Sequence, residues 1–89
     1  MFLELFMENY GQGICDSGYY GGWDGQGDDS AEDCKHLCLL DDRCQYAAYY
    51  SGPEIIMHGR KKTCSRYKGA SCKLTGDTHF TFKKTIPTG

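Results

Sequence analysis

The chain has 89 residues, six cysteines and a net charge of −2. A chain of this length forms one domain that cannot bury a large apolar core, so disulfide bonds are the expected compensation. An even cysteine count, 12 glycines and no Cys-x2-Cys pair indicate an extracellular, secreted protein and argue against a cytosolic zinc protein. We expect no cofactor, no metal and no nucleic-acid partner.

The first segment, residues 1–9, is dense in apolar residues. It is too short to span a membrane, contains Glu4 and lacks both the basic flank and the cleavage site of a signal peptide, so no membrane insertion is expected. Its composition favours either a first strand or an exposed apolar arm that docks elsewhere. In the second case the assembly residues are Phe2, Leu3, Leu5 and Phe6.

A glycine-rich loop, residues 16–27, follows and carries Tyr19, Tyr20 and Trp23. These rings predict either a small apolar cluster or an exposed stacking surface for a sugar or a protein. Residues 24–28 resemble the beginning of a calcium loop. However, Asp29 and Lys35 stand where an EF-hand requires Gly and Glu, so we interpret the segment as a solvated acidic turn.

One short helix is expected after this loop. Ser30 is a suitable N-cap, and the acidic first turn suits the positive end of the helix dipole. Cys34 and Cys38 are spaced i, i+4, which places both sulfur atoms on one face of the helix. That face must therefore meet a partner elsewhere in the chain.

The second half of the chain predicts strands. In residues 45–50 the side chains alternate between the two faces of a strand, with Tyr46, Ala48 and Tyr50 on one face. The small alanines suit a central strand on which a helix packs closely. Residues 62–67 predict the next strand and Gly76-Asp77 a turn. Residues 79–85 predict a final strand whose Phe80 and Phe82 face inward.

Charge is distributed unevenly along the chain. Residues 1–44 carry ten acidic and two basic side chains, whereas residues 45–89 carry two acidic and eight basic ones. The two halves either neutralise each other within the fold or form a dipolar module that stacks head to tail. A group of basic residues forms either a solvated strand edge or a contact for an anionic glycan; it comprises Arg60, Lys61, Lys62, Arg66 and Lys68.

Three sequence stretches together resemble the PAN/apple domain family. They are Ser30-Ala31-Glu32-Asp33-Cys34-x3-Cys38-x5-Cys44-Gln45-Tyr46-Ala47-Ala48-Tyr49, Cys64-Ser65-Arg66-Tyr67 and Phe80-Thr81-Phe82-Lys83. The resemblance covers residues 10–85 and leaves 86–89 as a C-terminal tail or inter-module linker. It implies a small disulfide-rich α+β domain, in which an antiparallel sheet of about five strands packs on one short α-helix.

The resemblance also implies a disulfide pattern. Six cysteines allow fifteen connectivities, and the family's order implies Cys34 with Cys64 and Cys38 with Cys44. The outermost bridge would then join Cys15 and Cys72, although Cys72 stands closer to Cys64 than the family pattern has it.

The resemblance implies a non-catalytic, extracellular adhesion or recognition module that binds protein or carbohydrate. The chain offers no G-x-S-x-G elbow, and its thiols are expected to be paired, so we predict no catalytic residue. The ligand-binding candidates are Tyr19, Tyr20, Trp23, Arg60, Lys61, Lys62 and Arg66. The alternative is a structural subunit or repeat of an extracellular filament or array. Such a subunit would form a homo-oligomer, or tandem copies in a longer chain, through its apolar N-terminal strand and its complementary charges.

Overall fold

The computed structural model describes residues 5–21, 30–50, 56–57, 60–61 and 64–86. In chain order these residues form β1 (Phe6–Cys15), β2 (Tyr19–Gly21), α1 (Ala31–Leu40), β3 (Tyr46–Tyr50), β4 (Ile56–Met57), β5 (Arg60–Lys61), β6 (Cys64–Tyr67) and β7 (Leu74–Thr85). Five strands form an antiparallel sheet in the order β1-β7-β3-β6-β2, and β4 pairs with β5 separately.

The predicted fold class, a small disulfide-rich α+β domain with one helix and an antiparallel sheet, is confirmed for the described residues. The strands are more numerous than the five or so that we expected, because short strands form outside the main sheet. In the same part of the chain, no helix is long and apolar enough to cross a membrane.

Helix α1 begins directly after its predicted N-cap, Ser30. Ser30 is extended (φ −140°, ψ 164°), and its side-chain oxygen accepts a hydrogen bond of 3.1 Å from the backbone N–H of Asp33. This bond satisfies one of the N–H groups left without a partner at a helix start. The extended Asp41 ends the helix, and its N–H donates to the carbonyl of Cys38. The buried residues of α1 are Cys34 and Cys38, so the helix contributes little apolar surface to the core.

Strand β3 lies in the middle of the main sheet and separates two clusters of buried residues. The cluster that we call the helix face comprises Ala47, Cys34, Cys38, Cys44 and Cys64. The cluster that we call the tyrosine face comprises Tyr46, Ala48, Tyr67, Cys15 and Cys72. The predicted alternation of β3 is therefore confirmed, and its alanines permit close packing on both sides.

Three disulfides connect these elements, and they are the pairs that the resemblance implies. Cys34–Cys64 joins α1 to β6, Cys38–Cys44 joins α1 to the turn before β3, and Cys15–Cys72 joins the end of β1 to the segment before β7. The helix face thus contains two bridges and the tyrosine face one.

The longest strand pair, β1 with β7, contains a bulge that the sequence did not predict. Gln12 lies opposite Phe80 and Ile14 lies opposite Thr75, so residues 76–79 face Gly13 alone. The predicted turn at Gly76-Asp77 is therefore wrong, because these residues lie within β7. Gly13 and Gly76 both have positive φ angles, 119° and 79°, which glycine adopts without steric cost.

Strand β1 begins at Phe6, within the segment for which we predicted either a first strand or an apolar arm. Its first residues pair with the end of β7, with Phe6 opposite Thr85 and Asn9 opposite Phe82. Residues 6–9 therefore belong to the main sheet.

Candidate functional site

A cleft of about 480 Å³ opens on the sheet beside the start of α1. Its described lining residues come from β1, α1, β3 and β7; they are Asn9, Gly11, Gln12, Ala31, Tyr49, Phe80, Thr81 and Phe82. Ala31 is the first residue of α1.

Two phenylalanines on the same side of β7 have different environments in this cleft. Phe82 is buried, and the ammonium group of Lys35 lies 4.9 Å from its ring centre. Phe80 is 47% exposed and lies opposite Tyr49 of β3. The prediction that Phe80 faces inward is therefore wrong. The physical reason is that α1 begins only at Ala31, beside Phe80, and so covers Phe82 but not Phe80.

The described lining residues of the cleft include polar side chains but no charged one. Asn9 lies opposite Phe82 and Gln12 lies opposite Phe80 in the β1–β7 pair, so each amide lies beside an aromatic ring. A primary amide offers two N–H donors and one oxygen acceptor. The cleft can therefore combine apolar contact with hydrogen bonds of both directions.

A second group of polar side chains, which we call the Asp41 cluster, lies at the other end of α1. The hydroxyl of Tyr20 donates a 2.9 Å hydrogen bond to the Asp41 carboxylate, and Arg66 Nη1 lies 3.6 Å from the same oxygen. The guanidinium of Arg43 stacks 4.7 Å from the Tyr20 ring centre. Lys84 Nζ donates a 2.8 Å hydrogen bond to the backbone carbonyl of Asp41. The negative end of the helix dipole also stabilises its positive charge at this position.

The Asp41 cluster fixes the protonation states of its members. The backbone N–H of Arg43 is the main cause that lowers the pKa of Asp41 from 3.8 to about 2; hydrogen bonds from the side chains of Arg43 and Tyr20 add to it. Burial, followed by the hydrogen bond to Asp41 and its negative charge, raises the pKa of Tyr20 to about 12. At neutral pH a carboxylate and a neutral phenol therefore face each other. We interpret this cluster as a connection that attaches β2 and β6 to the end of α1.

The ligand-binding residues predicted from the sequence do not form one surface in the described part of the chain. Tyr20 and Arg66 belong to the Asp41 cluster, where only 18% of the Arg66 side chain is exposed. Tyr19 is 48% exposed and packs on Tyr67 with 5.7 Å between ring centres, on the tyrosine face. Arg60 and Lys61 form β5. Trp23 and Lys62 lie outside the described residues.

The predicted assembly residues are described in part. Leu5 and Phe6 are exposed at the start of β1, which is an edge strand of the main sheet. Phe2 and Leu3, like the acidic turn at 24–28, lie outside the described residues. Within the described ranges, no three His, Cys, Asp or Glu side chains lie close enough together to hold a metal ion.

The sequence interpretation missed the cleft because it assigned both phenylalanines to the core. A usable signal was the length of the two elements. A ten-residue helix is about 15 Å long, whereas the seven residues of the predicted last strand extend over about 23 Å. A helix of this length is therefore too short to cover the whole strand.

Comparisons with protein-family models, with curated proteins and with solved structures give no match to this chain. The function is therefore inferred from the geometry of the described residues.

Proposed function

We propose that this domain is a non-catalytic, extracellular recognition module that binds a protein or carbohydrate ligand. The cleft carries the proposal, because Phe80 remains about half-exposed there between Tyr49 and the amides of Asn9 and Gln12. Concave, mostly apolar sites with a few convergent polar groups are typical of ligand binding. Three disulfides in so small a domain fit an extracellular or otherwise oxidising compartment.

Two observations support recognition over catalysis. All six cysteines are paired, so none provides the thiolate that a cysteine nucleophile requires. The described lining residues of the cleft include no carboxylate or imidazole that could act as a general acid or base. We also propose that the chain is a PAN/apple-type domain, which the pairing of its cysteines and the packing of one helix on an antiparallel sheet support.

The proposal is tested with the oxidised domain on arrays of glycans and of extracellular proteins. We expect at least one ligand whose binding is lost in Phe80→Ala and retained in Tyr19→Ala. These two aromatic residues are a matched pair, since they have nearly equal exposures of 47% and 48% on opposite faces of the sheet. Binding that depends on Tyr19 and not on Phe80 would show that the cleft is not the site.

A second candidate function is a structural subunit of an extracellular filament or array. It is favoured by β1, an edge strand with Leu5 and Phe6 exposed at its start, because unpaired strand edges can pair with a second copy. Charge complementarity between copies has less support. Asp41 and Arg66, from the acidic and basic halves of the chain, already pair within the molecule.

This candidate is tested by sedimentation of the full chain and of a variant with Leu5→Ser and Phe6→Ser. The filament hypothesis predicts a polymer or dimer that dissociates in the variant. Ile86→Ser is the control, because Ile86 is also exposed but lies beyond the end of β7. A full chain that sediments as a monomer at high concentration would exclude self-assembly through β1.

A further inference from the structure

Two pairs of adjacent basic residues differ in how their strands are held. Arg60 and Lys61 form β5, which pairs with β4 outside the main sheet and has no other strand partner among the described residues. Lys83 and Lys84 lie in β7, which pairs with β1 on one side and with β3 on the other. The first pair is therefore held from one side only, and the second from both sides.

This difference decides which basic pair a protease can reach. A protease binds its substrate as an extended segment, and a strand can take that place only after leaving its own hydrogen-bonding partners. A two-stranded pair by itself is at best marginally stable in water, whereas a strand inside a larger sheet opens at a far greater cost. Because proteolysis follows the population of the open state, β5 is the favoured substrate of the two.

Exposure of a side chain alone does not make a basic residue a good substrate. Lys68 and Lys73 are both exposed, but their backbones are bonded to the segment before β2. The N–H of Lys68 donates a 2.8 Å hydrogen bond to the carbonyl of Gly18, and the carbonyl of Lys73 accepts a 3.0 Å bond from Asp16. These two lysines therefore cannot extend into a protease without breaking contacts of the main fold.

A cut in β5 would leave the molecule connected by covalent bonds. Cys15–Cys72 and Cys34–Cys64 each join a residue before β5 to a residue after it. The strands interleave as well, because β1 and β3 precede the cut and pair with β6 or β7, which follow it. The cleft is shared in the same way, with Tyr49 before the cut and Phe80 after it. The cut form should therefore keep both its sheet and its cleft.

We propose that β5 is a processing site, at which an extracellular protease of trypsin-like specificity cuts the chain after Arg60 or Lys61 and leaves a two-chain, disulfide-linked domain. Such proteases select Arg and Lys with a carboxylate in their specificity pocket. The reaction is hydrolysis: water supplies the oxygen of the new carboxyl terminus, and the leaving amine takes up the proton. The inference rests on the extracellular location that we propose, but not on the ligand of the cleft.

The test is limited digestion of the oxidised domain with a trace of trypsin, followed by mass spectrometry before and after reduction. Before reduction, the first product should have gained the mass of one water molecule and should remain in one piece. After reduction, it should separate into two chains, the first of which ends at Arg60 or Lys61. The amide spectrum of the unreduced product should retain the signals of β3 and β7.

A variant without the basic run locates the site. Arg60→Gln, Lys61→Gln and Lys62→Gln together should slow the first cut at least about tenfold, because the other basic residues are reached only when the main sheet opens. Lys62 is included because it follows β5 directly in the sequence. The matched control is Lys68→Gln with Lys73→Gln, which should change neither the rate nor the position of the first cut.

Reduced and unfolded wild-type chain is a second control for the role of the fold. Without the main sheet, its basic residues should be cut with no preference for β5. The inference is overturned if the first cut of the oxidised domain falls at any other basic residue, if the cut domain loses its amide spectrum, or if the triple variant is cut as fast as the wild type.

Failure of this inference and failure of the recognition function are distinguishable. A ligand that is lost in Phe80→Ala and retained in Tyr19→Ala would support the cleft even if β5 resists trypsin. Selective cutting in β5 would equally support the processing site in a domain for which no ligand is found.

Discussion

The two faces of β3 are stabilised in different ways. On the helix face, Ala47 packs among four cysteines that form two disulfides. On the tyrosine face, large rings fill the space, and Tyr10 packs edge-on against Tyr46 with 5.2 Å between ring centres. We infer that two disulfides anchor α1 on the helix face, where Met7, Tyr20 and Tyr49 are partly buried apolar neighbours. Phe80, on the same side of the sheet, is about half-exposed.

The largest effect is expected on the tyrosine face. Tyr46→Ala should lower the free energy of unfolding by about 3–5 kcal/mol, because it removes a buried ring that contacts Tyr10. Urea unfolding of the oxidised domain measures the loss. Tyr46→Phe is the control and should cost much less, since it keeps the ring. A small loss in Tyr46→Ala would mean that aromatic packing does not hold this face.

On the helix face, removing a disulfide should have a comparable effect. Cys34→Ala with Cys64→Ala opens a loop with a sequence separation of 30, and the chain-entropy model predicts a loss of about 3–4 kcal/mol. The matched control is Cys38→Ala with Cys44→Ala, whose separation of 6 predicts only about 2 kcal/mol. Both are measured by urea unfolding without reductant. Equal losses in the two double variants would contradict the role given to Cys34–Cys64.

The Asp41 cluster should contribute less, and its contribution should depend on pH. Asp41→Asn should cost about 1.5–3 kcal/mol at neutral pH, as expected for hydrogen bonds to a charged group. The pKa of Asp41 falls from 3.8 to about 2 on folding, so its stabilisation is present above pH 3.8 and is lost as the pH falls toward 2.

Urea unfolding across this pH range should show the wild type and Asp41→Asn converging at the acidic end. Asp42→Asn is the control, because Asp42 is an exposed neighbour and its substitution should change stability little. A difference between wild type and Asp41→Asn that stays constant with pH would show that the carboxylate charge is not what stabilises the cluster.

The smallest effect is expected at the cleft. Phe80→Ala should cost about 1 kcal/mol or less, because Phe80 is about half-exposed and lies opposite the cross-strand neighbours Tyr49 and Gln12. Phe82→Ala, two residues along the same strand but buried, should cost about 3 kcal/mol or more. Thermal or urea unfolding compares the two variants. Equal losses of stability in the two variants would indicate that Phe80 is packed in the core, and would contradict its assignment to an open cleft.

Local features of the fold could be predicted from the sequence because neighbouring residues determine them. The Ser30 cap depends on one side chain and the next helical turn, and the two faces of β3 follow from the alternation of Tyr46, Ala47 and Ala48. The cysteine pairs came from the family resemblance, because fifteen connectivities are possible for six cysteines.

Features that depend on distant residues could not be predicted in the same way. Tyr20 and Asp41 are 21 residues apart, and no local pattern indicates that the tyrosine turns toward the end of the helix while Tyr19 faces the other side. Phe80 occupies a position that the alternating pattern of residues 79–85 assigns to the core. Its exposure depends on where the helix begins relative to β7. The bulge at 76–79 depends likewise on the register of β1 and β7.

The most direct test of this account is hydrogen exchange at the backbone amides of α1 in the Cys34→Ala, Cys64→Ala variant. If disulfides rather than apolar packing hold the helix, amides of residues 34–40 should lose more protection than those of β3, because α1 opens separately from the sheet. The Cys15→Ala, Cys72→Ala variant should lower protection in α1 and β3 to the same extent. If α1 and β3 lose protection equally in the first variant, the helix is held by its packing, and the account is contradicted.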